Sequence, residues 1–68
     1  MNKLREVREA RHLSREKLEM VSGVSARAIK AYEIGQVALE KASYSSIMKL
    51  ANALEVEPSE LFCKEVAG

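Results

Sequence analysis

The chain has 68 residues and a mass of 7.6 kDa, room for one domain with one small core. Hydrophobic residues make up 47% and charged residues 31%, which excludes a disordered tail; no apolar run reaches the ~18 residues of a membrane span, nor is there a signal-peptide core. Lys and Arg number 11 against 10 acids, a net charge of +1, and the lone cysteine, Cys63, excludes an internal disulfide and a cysteine-rich zinc site.

All ten acids are Glu, and with only 3 Gly and 1 Pro the chain favours helix throughout. A first helix is expected over about Asn2 to Arg11, with Leu4, Val7 and Arg11 on one face and Arg8 beside them. Ser14 then reads as an N-cap, with Glu16 adding favourable charge to the first turn. The second helix is expected over about Arg15 to Ser22, turning Leu18 and Val21 inward. Gly23 ends it in the left-handed conformation. Ser25 caps a third helix, about Ala26 to Ile34, with Ile29 and Tyr32 as its apolar pair and Gly35 as its stop.

Residues 36–42 lack strong periodicity and read as a loop. Ser43 caps a fourth helix, about Tyr44 to Leu54, whose apolar face carries Ile47, Leu50, Ala51 and Leu54. Pro58 fits the first position of a short fifth helix, flanked by Glu57 and Glu60, with Leu61 and Phe62 as its apolar contact.

The small net charge hides an asymmetry. Residues 1–30 hold eight basic residues and four acids, a net of +4, while residues 31–68 hold three and six, a net of −3. One basic face suits a polyanionic partner. Within that basic half, residues 15–33 read as helix, three-residue turn on Gly23, helix, which is the helix-turn-helix arrangement. Leu18, Val24, Ile29 and Tyr32 are apolar where the two helices would meet. The second of them leaves Ser25, Ala26, Arg27, Lys30 and Ala31 on a free face, small or basic residues that suit a major groove ~12 Å wide.

On the segments LREVREARHLSREKL, SGVSARAIKAYEIGQ and IMKLANALEVEPSELF, the chain resembles the Cro/C1-type (Xre-type) helix-turn-helix repressors of bacteria and phages over Leu4 to Phe62. The resemblance implies an all-α, compact five-helix bundle in one domain, residues 1–68, with a C-terminal tail over 63–68. It also implies that the third helix enters the major groove. Ser25, Ala26, Arg27 and Ala31 fall on its base-reading positions, with Lys30 beside them and Arg27 suited to a bidentate bond with guanine. Arg15 stands where the family usually has a phosphate-gripping Gln, and Lys17 and Lys41 are further phosphate candidates. Arg8 and Glu33 match the family's ion pair between its first and third helices. Three departures stand out. Glu19 occupies a common Ala site where helices approach, and must lean outward or change the crossing angle. Ile34 stands where Asn is common, and the loop over 36–42 is about three residues longer than usual.

Double-stranded DNA is thus the expected partner, read as a homodimer with recognition helices ~34 Å apart on a pseudo-palindromic operator. Leu61, Phe62 and Val66, with Ile47 or Met48, are the expected dimer contacts. The class is a cytoplasmic DNA-binding regulator acting by steric occupation of a promoter, with an antitoxin-like protein-interaction module as the alternative. No metal, cofactor, small-molecule ligand or catalytic constellation is expected, since His12 stands alone and no base, nucleophile and orienting group converge. Met20 and Met48 read as gap-filling core or interface residues, and Tyr44 as a packed ring, with donation of its hydroxyl to a phosphate as the alternative.

Overall fold

The computed structural model describes residues 2–62, which fold as α1 (Leu4–Ala10), α2 (Arg15–Ser22), α3 (Ala26–Glu33), a 3-10 turn at Leu39–Lys41, α4 (Tyr44–Leu54) and a second 3-10 turn at Pro58–Leu61. Among the described residues there is no strand, and no helix is long and apolar enough to cross a membrane. Hydroxyl caps begin three of the helices: Ser14, Ser25 and Ser43 accept from the amides of Lys17, Ala28 and Ser46 at 3.0–3.1 Å. Gly23 ends α2 at φ +82°, a left-handed conformation that a β-carbon makes costly.

The expected first helix is trimmed to its middle. Asn2 lies ahead of it, where its side-chain oxygen accepts from the Leu4 amide and its amide nitrogen donates to the Tyr32 carbonyl, both at 3.0 Å. Arg11 leaves the apolar face, and Arg8 takes the buried position instead. The expected fifth helix forms as a four-residue 3-10 turn, held by a capping box between Glu57 and Glu60. It is too short to close a full α-helical ladder before Phe62 returns to extended backbone.

Seven large side chains are fully buried: Leu4, Leu18, Ile29, Leu39, Leu50, Leu54 and Leu61. Val24 and Ala51 complete the same cluster, with Val7, Tyr32, Ile47 and Phe62 packed partly against it. Leu39 corrects the reading of 36–42 as plain loop, because this segment carries a core anchor on a 3-10 turn. Val21, expected inward, is 58% exposed. The inward stripe of α2 runs Arg15, Leu18, Ser22, and Val21 lies about 60° outside its Leu18 edge at about 100° per residue. Met20 is likewise exposed rather than core, and Tyr44 stands 75% exposed rather than packed. Leu61, expected at a dimer interface, is fully buried in the chain's own core. Phe62 is half-buried; Val66 and Cys63 lie outside the described residues.

Beside the apolar cluster lies an ion network. The side chain of Glu33 is fully buried, with Arg8 Nε at 2.6 Å and Arg15 Nε at 3.0 Å from its two oxygens. Arg8 Nη2 adds a 3.2 Å bond to Glu33, and Arg8 Nη1 donates to the Leu13 carbonyl at 2.7 Å. Hydrogen bonding to Glu33 holds the Arg8 guanidinium above its usual basicity despite desolvation. At the rim, a hydrogen bond from Arg5 keeps the exposed Glu9 carboxyl below the usual range. Among the described residues, two other than glycine have positive φ, His12 at 58° and Glu55 at 60°, and Arg11, next to His12, donates to the Glu55 carbonyl at 3.3 Å.

Three stability measurements check this packing. Leu39→Ala is expected to lower unfolding free energy in urea by about 2–5 kcal/mol, because the loop cannot collapse into the cavity without releasing its turn. Glu33→Gln is expected to cost about 3–5 kcal/mol by leaving Arg8 buried without its counter-charge, whereas Arg15→Gln costs less than ~1 kcal/mol. When Arg15 is lost, Arg8 remains 2.6 Å from Glu33, so the buried carboxylate keeps a counter-charge. His12→Gly is expected to raise stability by about 1 kcal/mol, seen as a melting temperature higher by ~4–8 °C.

Candidate nucleic-acid interface

The candidate interface is built on α3. Its N-terminus is fixed by the Ser25 cap and its buried side by Ile29, with Tyr32 half-buried. Glu33 locks its far end to α1 and α2. Rotation of α3 about its own axis is therefore blocked at both ends, and its outer face is fixed.

That face carries the residues expected from the sequence. Ser25, Arg27 and Lys30 are exposed, while Ala26 and Ala31 are half-buried between them. Among the described residues neither Arg27 nor Lys30 enters an ion pair, so both charges are available to a ligand. The alanines keep the helix surface low, letting a flat or grooved partner approach the backbone. Arg27, Lys30 and Ala31 also border an open groove whose other wall is Ile34, Gln36 and Val37. Ile34 and Val37 are both exposed, so an apolar flank follows α3 beside the basic Arg27 and Lys30.

Arg15, the first residue of α2, has its Nε committed to Glu33. No bond to another described residue engages its two terminal nitrogens, which leaves two charged donors for a phosphate oxygen. Lys17 is exposed two residues further along α2, and Lys41 is exposed beside Glu40 on the first 3-10 turn.

Glu19 neither leans away from α3 nor remains idle. Its Oε1 accepts from the backbone amide of Ala26 at 3.1 Å, so α3 carries two side-chain caps, one from Ser25 and one from α2. The sequence shows Glu19 only as an oversized side chain in a tight place; its seven-residue reach across the turn depends on the crossing of α2 and α3. Asn2 was also missed, because its bond to Tyr32 spans 30 residues.

Comparison with known proteins places this arrangement. Residues 4–61 match the helix-turn-helix family. The crystal structure of the restriction-modification controller protein C.AhdI from Aeromonas hydrophila is similar, with 43% sequence identity, coverage of 88% of this chain and 86% of that chain, and a TM-score of 0.78. No curated protein matches the chain. A family match over nearly the whole described fold, together with the geometry of α2 and α3, leads to one conclusion: the chain belongs to the Cro/C1-type family of helix-turn-helix, DNA-binding transcriptional regulators.

Proposed function

We propose that the chain is a repressor that binds a pseudo-palindromic operator as a homodimer in the cytoplasm, placing α3 of each copy in the major groove. Ser25, Ala26, Arg27, Lys30 and Ala31 read bases, with Arg27 on guanine, and Arg15, Lys17 and Lys41 hold phosphates. The observation that carries this reading is the outer face of α3, where two unpaired cations stand between small side chains. Similarity to a restriction-modification controller supports a role in controlling genes of such a system. Repression follows by occupation, since a dimer seated across a promoter excludes polymerase.

Phe62, Ile47 and Met48 are the remaining described residues of the expected dimer patch. Tyr44, Ile47 and Met48 share one edge of α4 by their three- and four-residue spacing, and the exposed Tyr44 ring extends that edge into solvent. This edge with Phe62 is the dimer contact in our reading.

Fluorescence anisotropy with the DNA upstream of the chain's own gene, at two salt concentrations, tests the proposal. Three phosphate ligands per copy predict a log–log salt slope of about −5 for the dimer, hence about a thousandfold loss between ~50 and ~200 mM salt. Arg27→Ala is expected to lose roughly tenfold or more in operator affinity and to relax selectivity at one base pair per half-site, with the fold intact by circular dichroism. Absence of any sequence preference, with tight binding to a co-encoded protein, sinks this reading in favour of an interaction module.

A further inference from the structure

Glu19 places a carboxylate at the entry of α3, and this position has a chemical consequence. One oxygen, Oε1, accepts from the amide of Ala26, the first residue of the helix. Ala26 ends at its β-carbon and cannot shield the bond from a bound duplex. The carboxylate lies within one hydrogen bond of a residue at the base-reading end of α3, and Glu19 is exposed. No hydrogen bond to another described residue engages Oε2.

We propose that Glu19 is a specificity-determining residue, whose free Oε2 accepts a hydrogen bond from the exocyclic amino group of a cytosine or adenine at the major-groove edge. The inference rests on the reading of α3 as the base-reading helix. Its physical basis is the division of labour within one carboxylate. Oε1 is held by the protein, which fixes the side chain at no cost to the duplex. Oε2 is an acceptor only, so it matches an amino group and mismatches the O4 of thymine or the O6 of guanine. The negative charge also repels phosphates from the N-terminus of α3, where free amides would otherwise attract them without regard to sequence. Glu19 therefore strengthens discrimination twice, by accepting from one base and by weakening non-specific contact. One residue after the capped Ala26, Arg27 has five donors and no acceptor, so the two side chains read opposite hydrogen-bonding patterns.

The test is enrichment of a randomised duplex pool by the wild-type chain and by Glu19→Gln, followed by anisotropy titration of the enriched duplexes. Gln keeps an oxygen for the Ala26 amide and turns the free acceptor into an NH₂ donor. The wild-type motif is expected to hold a cytosine or adenine at one position per half-site. Glu19→Gln is expected to replace it there with thymine or guanine, a reversal of about tenfold in preference, and to bind a non-specific duplex several-fold more tightly. Glu19→Ala is expected to lose preference at that position alone, which keeps the test decisive if the Gln variant folds poorly by circular dichroism. Identical motifs from the wild type and a folded variant overturn the role of Glu19. If the wild-type chain enriches no motif, the base-reading function of α3 fails with it.

Discussion

The buried carboxylate of Glu33 holds the DNA-reading head in register. It sits at the last residue of α3, where a negative charge opposes the helix dipole. Its desolvation would be prohibitive without counter-charges. Arg8 from α1 and Arg15 from α2 supply them, so three helices meet at one carboxylate. Apolar contacts around Ile29 set how deeply α3 is buried but tolerate small rotations; bonds of 2.6–3.2 Å at defined angles do not. This network fixes the azimuth of α3, as the proposed base-reading role requires.

Arg15 ties the same network to the candidate interface. Its Nε serves the fold, and no hydrogen bond to another described residue engages its two terminal nitrogens. A Gln, the common residue there, could grip a phosphate but could not counter a buried carboxylate. In the proposed interface, the fold and a phosphate grip would draw on one guanidinium, anchored before any duplex arrives. Pre-anchoring lowers the entropy lost on binding.

Much of this was legible in the sequence because it is local. Caps at Ser14, Ser25 and Ser43, the stop at Gly23, and the four helices all follow from patterns within one or two turns. Parts that depend on how elements cross were not legible. Leu39 is an isolated apolar residue in an aperiodic stretch, and only the position of that loop over the bundle makes it core. Leu61 looks like any apolar residue near a chain end, and Val21 looks like a partner of Leu18; burial of the first and exposure of the second follow from which neighbours arrive. At the interface, the outer residues of α3 were legible from helical spacing. The bond from Arg15 to Glu33 and the cap supplied by Glu19 were not, since each is a contact across a helix crossing.

A final consequence follows from the backbone bond between Lys3 N and the Leu61 carbonyl, at 2.8 Å. It ties the residue just ahead of α1 to the end of the last turn, and Leu4 and Leu61 share the core beside it. The two extremities of the fold are stitched to each other, so neither can fray alone. Trimming past Lys3 would loosen the final turn as surely as cutting the turn itself. Closing this seam must also come late in folding, because the residues it joins are almost the whole fold apart, after the local helices have formed.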